Sequence, residues 1–324
     1  MEKAVITVKA LKKTFGHRTI LENVSFFVPE GSIYALLGSN GAGKTTTIKI
    51  LTAQLVPDGG EAEVGGFRVQ EQPHRIREII SLTGQFSAVD ELLTGRENLR
   101  IMGRLRQISE PAENTEELLG EFQLLEAGNR PVSAYSGGMK RRLDIAMSLV
   151  GRPKILFLDE PTTGLDPQSR RRLWEKIRAL KQEGVTVFLT TQYLEEAEEL
   201  ADRIGILDKG KIIAQGTADE LKAHTHREAV EFWFKDQESM EKAKLLVKGN
   251  HAYKIQENHL ADALGKEKQY RFRVITEGEV DALTEIFHIF YENRISICQF
   301  VQKKPDLEDV FLEIIGKENG YEHI

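Results

Sequence analysis

A single cysteine, Cys298, serves all 324 residues. No internal disulfide can form, and a reducing compartment is the natural setting for such a chain. Long hydrophobic runs are missing as well: no apolar stretch approaches the roughly 20 residues that cross a bilayer. The opening MEKAVITVKA has no apolar core of the kind a secretory leader needs. The expectation is a soluble, cytoplasmic protein, for which any work at a membrane requires another chain to supply the membrane. A basic excess is also lacking. Residues 1–217 carry 29 basic and 29 acidic side chains, and residues 218–324 carry 15 and 21, which accounts for the net charge of −6. Neither part offers the positive field of a nucleic-acid binder. The 8 histidines show no metal-ligand spacing. No internal repeat and no low-complexity segment breaks the chain.

What is present is enough for ordinary cores. Apolar residues make up 40% of the chain, and its length suggests two domains. The pattern divides near Gly216-Thr217, giving expected domains at 1–217 and 218–324. Before that point, strand-like runs alternate with helical ones. Ile33–Leu37, Ile79–Thr83, Ile155–Leu158, Val185–Thr190 and Ile204–Leu207 read as strands, the last four as buried parallel ones. Helical spacing predicts helices over 44–54, 96–107, 114–125, 137–150, 167–182 and 194–201, with Pro167 well suited to a first turn. Val5–Leu11, Leu21–Val28 and Ala62–Val64 predict an antiparallel lobe. The fold class is α/β with a mixed-sheet core.

Residues 38–46, GSNGAGKTT, follow the strand Ile33–Leu37 directly. A strand feeding a glycine-rich turn is the setting in which a phosphate-binding loop has mechanical meaning. Glycines let successive N–H groups of Gly38, Ser39, Asn40, Gly41, Ala42, Gly43 and Thr46 wrap an anion. Lys44 is placed to reach β- and γ-phosphates, and Thr45 to offer its hydroxyl to Mg²⁺. The helix beginning near Lys44 adds its positive end beneath the same anion. This part of the chain binds nucleotide.

Three further segments accompany the loop. Residues 135–143 read YSGGMKRRL, with Ser136-Gly137-Gly138 opening a helix and so forming a second anion-binding N-terminus. Residues 155–160 read ILFLDE, a strand ending in two carboxylates: Asp159 suits a metal ion held through water, and Glu160 can polarise an attacking water. Gln85, just past Ile79–Thr83, can offer its amide oxygen to Mg²⁺ or water.

This order and spacing resembles the ATP-binding subunit of ATP-binding-cassette (ABC) transporters, over about residues 4–217. The resemblance implies a P-loop ATPase domain with an antiparallel β lobe and a helical subdomain. It implies ATP and Mg²⁺ as ligands, with Thr45, Gln85 and Asp159 around the metal and Glu160 as catalytic base. Ser136 to Met139 would be the family signature, Asp166 a dimer contact, and Phe15 the aromatic that stacks on adenine. Each signature would cap the nucleotide of the opposite subunit, so two complete sites require two chains, identical or similar. A separately encoded membrane permease would be the transport partner, docking near Phe86–Glu97, with this chain peripheral on the inner face of the membrane. No nucleic acid is involved.

One position departs from the family pattern. Where a histidine usually contacts the γ-phosphate, the segment TTQYLEEAEELADRI carries Gln192. An amide can donate to a phosphate or water but cannot take up a proton. Either hydrolysis is weakened, or Gln192 positions while Glu160 acts as base; the second is preferred because the other elements match. TTQYLEEA resembles the exporters of anthracycline-type antibiotics, and PDLEDVFLEIIG near the end resembles the C-terminal segment of drug-exporting members of the family. The function implied is ATP-driven efflux of a drug-like substrate. An importer's ATPase would share every motif. A non-transport ATPase is the other alternative, although Lys44 and Ser136 lie too close for a long coiled-coil insertion.

Plainer readings stand beside these. Phe15 can be a core aromatic. Lys140-Arg141-Arg142 and Arg170-Arg171-Arg172 read as solvated helix faces, and Glu195, Glu196, Glu198 and Glu199 as an acidic helix surface. Cys298, in the run ISICQF, reads as a small core residue. After residue 218, Glu228–Phe234, Tyr270–Ile275 and Ile295–Val301 predict strands. Helices are expected over Asp281–Tyr291 and Leu307–Ile315. Together they make a small α+β domain, read as a stabilising or dimerising appendage without a ligand, with a regulatory site as the alternative.

Overall fold

The structure, a computed structural model, describes residues 3–84, 88–223, 229–249, 253–256, 270–276, 280–303 and 306–311. The chain divides into two units, Met1–Ala218 and Asp219–Ile324.

The first unit opens with a hairpin of β1 (Ala4–Phe15) and β2 (Arg18–Pro29). Next come β3 (Ile33–Leu37), α1 (Lys44–Leu51), β4 (Gly59–Val64), β5 (Phe67–Arg68), α2 (Pro73–Ile79) and β6 (Ile80–Thr83). Three helices follow: α3 (Gly95–Leu105), α4 (Pro111–Glu121) and α5 (Gly137–Leu149). The unit closes with β7 (Ile155–Asp159), α6 (Pro167–Gln182), β8 (Thr186–Thr191), α7 (Leu194–Leu200), β9 (Arg203–Asp208) and β10 (Lys211–Gly216).

Two sheets result. The antiparallel lobe has the order β2-β1-β4-β5, and the central sheet β10-β9-β3-β8-β7-β6. In the central sheet five strands run parallel and only β10 is antiparallel. Every residue of β3, β7 and β8 is buried, which is why these strands read as unbroken apolar runs. The strands of the lobe alternate instead, with Ile6, Val8 and Leu11 inside and Lys9 and Lys12 outside. A ladder of rings joins lobe to sheet: Phe26 stacks on Tyr34 at 5.2 Å, Tyr34 on Phe188 at 5.5 Å, and Phe188 meets Phe157 at 5.5 Å. Each such pair adds about 1 kcal/mol beyond the area it buries.

The helical segment is pinned at its start by Thr94, whose hydroxyl accepts from the Glu97 N–H while the Glu97 carboxylate accepts from Thr94. Those bonds hold the Glu97 carboxyl below its ordinary pKa. No helix among the described residues is long and apolar enough to cross a membrane.

Helix α8 (Ala218–Ala223) leads into the second unit. There β11 (Ala229–Phe234), α9 (Gln237–Gly249), β12 (Lys254–Gln256), β13 (Tyr270–Ile275), α10 (Val280–Glu292) and β14 (Ile297–Lys303) follow in turn. The sheet order β12-β13-β11-β14, antiparallel throughout, is that of a split βαβ or ferredoxin-like fold. Val230, Phe232, Phe234, Phe272 and Val274 pack against Ile286 and Phe290 of α10.

Several expectations change. Strand β6 begins at Ile80, because Pro73 opens a short helix before it; only Ile76 of that helix is buried, so no apolar period was there to read. Strand β10 and helix α9 were also missed, the first half-exposed and the second burying only Ala243 and Val247. Cys298 is exposed rather than core, because β14 is the edge of its sheet. Residues 307–311 are helical; positions 312–315 of that expected helix, and Glu228, lie outside the described residues.

Candidate functional site

The turn after β3 is shaped by two close approaches. A Cβ on Gly38 would stand 2.4 Å from the Leu207 carbonyl oxygen, and one on Gly43 would stand 2.6 Å from Leu21 Cδ2 at a φ of +114°. A larger residue at Gly38 would have to move backbone, and one at Gly43 would displace the Leu21 side chain and adopt a φ that residues with a Cβ rarely take. Gly43 caps α1 with no side-chain bond, so the first-turn N–H groups face the loop's own concavity. Lys44 is buried, with Nζ donating to the carbonyls of Gly38 at 2.7 Å and Ser39 at 3.1 Å. The same Nζ lies 3.3 Å from Glu160 Oε1.

Asp159 and Glu160 arrive at the carboxyl end of β7, two strands from β3. Strand β8, between them, holds both. Thr190 Oγ1 donates to Asp159 Oδ1 at 2.5 Å, and the Glu160 N–H donates to the Thr190 carbonyl at 3.1 Å. Glu160 takes a φ of +48°, an uncommon backbone state for a residue with a Cβ. Its Oε2 accepts from Thr163 Oγ1 at 3.3 Å.

These groups border an open cleft of about 320 Å³, lined by Arg18, Ile20, Ser39, Asn40, Gly41, Gly43, Lys44, Thr45, Thr46 and Glu160. A larger cleft of about 900 Å³ touches Ile155 and Thr186, at the opposite ends of β7 and β8. None of the residues just named for the smaller cleft lines it. Ligands of parallel sheets bind beyond the strands' carboxyl ends, so the smaller cleft is the functional one.

Helix α5 carries the second glycine-rich helix start. Ser136 is its N-cap, its hydroxyl accepting from the Met139 N–H at 3.3 Å. A Cβ on Gly138 would stand 2.4 Å from Ser169 Oγ, so the helix start packs tightly against α6. Asp166 caps α6 through Ser169, whose N–H and hydroxyl hold the Asp166 carboxyl below its usual pKa.

The family model for the ABC transporter matches residues 21–163. The daunorubicin resistance ATP-binding protein DrrA2 of Streptomyces coeruleorubidus is 41% identical, covering 98% of this chain and 96% of the relative. The chain belongs to the ABC transporter ATP-binding family. The linearmycin resistance ATP-binding protein LnrL of Bacillus subtilis is 31% identical over 97% of this chain and 99% of its own. A solved ATP-binding subunit of an ABC transporter superposes with a TM-score of 0.61 at 32% identity, covering 68% of this chain and 92% of that one. The P-loop ATPase fold and the ATP-hydrolysing activity follow from this membership.

The ABC cassette thus brings Lys44, Thr45, Thr46 and Glu160 to one cleft, with Asp159 buried just behind. Ser136, Gly137 and Gly138 lie outside that cleft's lining. Phe15 is also outside it, half exposed at the hairpin end, opposite Arg18 in register and with Lys13 Nζ 5.3 Å from its ring centre. Gln192 sits half-buried between β8 and α7, again outside the lining. Gln85 and Phe86 lie outside the described residues.

Two readings of charge runs are overturned. Arg141 is mostly covered rather than solvated, with 12% of its side chain exposed, and Glu196 is fully buried beneath Trp174, whose Nε1 donates to its Oε1 at 3.2 Å. Both were invisible as runs of like charge, because which member of a run faces inward is set by the neighbouring helix. Arg18 and Ile20 at the cleft were likewise missed, since nothing local marks a hairpin end as a wall.

Proposed function

We propose that the cleft at Lys44 holds the phosphates of ATP and that hydrolysis there powers export of a drug-like compound through a separate membrane protein. The observation that carries the reading is the meeting of Lys44 Nζ and Glu160 Oε1 at 3.3 Å, at the carboxyl ends of β3 and β7. That spacing lets one ammonium neutralise phosphate oxygens while the neighbouring carboxylate orients water for in-line attack. The N–H groups of residues 39–46 supply further donors, and Arg18 adds positive charge at the rim.

Thr45 and Asp159 offer hydroxyl and carboxylate oxygens, the hard donors that suit Mg²⁺. Such an ion would neutralise charge on the terminal phosphates. Glu160 acts as the base, Gln192 donates from beyond β8, and Gln85, which follows β6 in the chain, offers its amide oxygen to the metal. The helix start at Ser136–Gly138, where Ser136 and Gly137 are exposed, suits the nucleotide of a second subunit, so two chains make two sites.

The relatives named for resistance match along nearly the full chain, which supports efflux over uptake or a non-transport role. Leu92, Ile101 and Leu105 are exposed and apolar on and before α3, a surface suited to a permease segment on the inner membrane face. The test is resistance in cells. Co-expressed with its neighbouring membrane protein, this chain is expected to lower intracellular drug, and Lys44→Ala to abolish the effect. Equal accumulation with and without the wild-type pair would refute efflux.

A further inference from the structure

Helix α5 reaches the reaction centre through one buried ion pair. Arg141 Nη1 lies 3.2 Å from Asp144 Oδ2, with only 12% and 4% of the two side chains exposed. Three more of the guanidinium's donors go to main-chain carbonyls of other elements. Nε donates to the Pro161 carbonyl at 2.8 Å and Nη2 to the Asp159 carbonyl at 3.2 Å, so the chain is gripped on each side of Glu160. Nη1 also donates to the Gly84 carbonyl at 2.9 Å. Asp144 Oδ1 accepts from the Ala88 N–H at 3.1 Å. Gly84 and Ala88 bracket positions 85–87, so the pair also holds both flanks of the segment after β6.

We propose that Arg141 is a positioning residue for ATP hydrolysis, tying the helix that opens at Ser136–Gly138 to the main chain on both sides of Glu160. Glu160 sits in a left-handed backbone state that its own side chain does not favour. Something must hold that state, and two carbonyls fixed by one planar fork do so. A guanidinium is suited to this because its donors are rigid and coplanar, whereas an ammonium is a point charge on a flexible stem. Asp144 compensates the buried charge and keeps the fork from turning away. A movement of α5 is thereby passed directly to the base. The proposal rests on Glu160 acting on the attacking water.

The test measures turnover and nucleotide affinity separately on the purified full chain. Arg141→Lys is expected to lower turnover at saturating ATP at least about tenfold, because small misplacement of a catalytic group is costly. The dissociation constant of a fluorescent ATP analogue should stay within about threefold, since the phosphate loop does not touch Arg141. Asp144→Asn keeps the shape and an acceptor for Ala88 but removes the charge. It should lower turnover about threefold or more with affinity unchanged, and it decides the matter if Arg141→Lys does not fold. Wild-type turnover in either variant when folded, or affinity falling in step with turnover, overturns the proposal. Glu160→Gln measured alongside separates the premises. If it hydrolyses ATP normally, the premise and the proposal fall together; if it is inactive while the other two are normal, only the role of Arg141 falls.

Discussion

Lys44 and Glu160 lie side by side, Nζ to Oε1 at 3.3 Å, although 116 positions separate them in the chain. Parallel strands β3 and β7, with β8 between, bring them together at one end of the sheet. In the roles proposed for them, Lys44 carries the phosphate-binding charge and Glu160 is the base, so the two halves of the pair should fail differently.

Glu160→Gln should retain ATP binding, lose turnover by about a hundredfold or more, and accumulate a stable dimer. An amide keeps the shape but cannot accept the proton of the attacking water. Phosphate release from a homogeneous sample is the measurement, and turnover near wild type would remove Glu160 as base.

Lys44→Ala should lose binding itself. Phosphate oxygens are then left without their closest cation, at a cost of about 2 kcal/mol or more. Titration with a fluorescent nucleotide checks this. Affinity within a few-fold of wild type would contradict the role.

A mixture of Lys44→Ala and Ser136→Arg chains should recover one intact site per heterodimer, since each substitution damages a different half. Each variant alone is expected to be inactive. If heterodimers form and the mixture gains no activity, hydrolysis does not need the α5 start of a second subunit.

Gln192→Ala should lower turnover at least about tenfold, as for a missing transition-state donor, with little change in ATP affinity. Gln192→His should keep substantial activity, and its rate should acquire an ionisation between about pH 5 and 8 that the wild type lacks. Wild-type turnover in Gln192→Ala would make the residue a spectator.

Glu196 gives a pH prediction for stability. Burial raises its carboxyl pKa, while the Thr191 and Thr162 hydroxyls, the Trp174 indole and Arg170 work in the opposite direction. A raised folded pKa means that the native state binds the proton more tightly than the unfolded chain does. The stabilisation is full below the unfolded value and is lost as pH rises through the folded one. Glu196→Gln can still accept from Trp174 and has nothing to ionise. Thermal unfolding at about pH 5 and pH 8 should show a smaller decline for Glu196→Gln than for wild type. Equal declines would place the ionisation elsewhere.

Short contiguous strings carried the greater part of the site. GSNGAGKTT, ILFLDE and YSGGMKRRL each encode a local backbone demand, and their strand or helix context lies within a few residues. Lys44, Thr45, Asp159 and Glu160 were legible for that reason, as were the five parallel strands and the change of pattern after Gly216. Folding decided what depends on distant neighbours. Arg141 and Glu196 stand in charge runs that look alike at every position, and only the packing of α5 on the β7 end, and of α7 on α6, turns those two inward. Cys298 looks like a core residue until sheet order puts β14 at an edge. Arg18 and Ile20 become a wall of the cleft because the hairpin end lies against the loop. A sequence motif records the conformation that its own residues require; burial and charge pairing belong to whichever surface arrives to cover them.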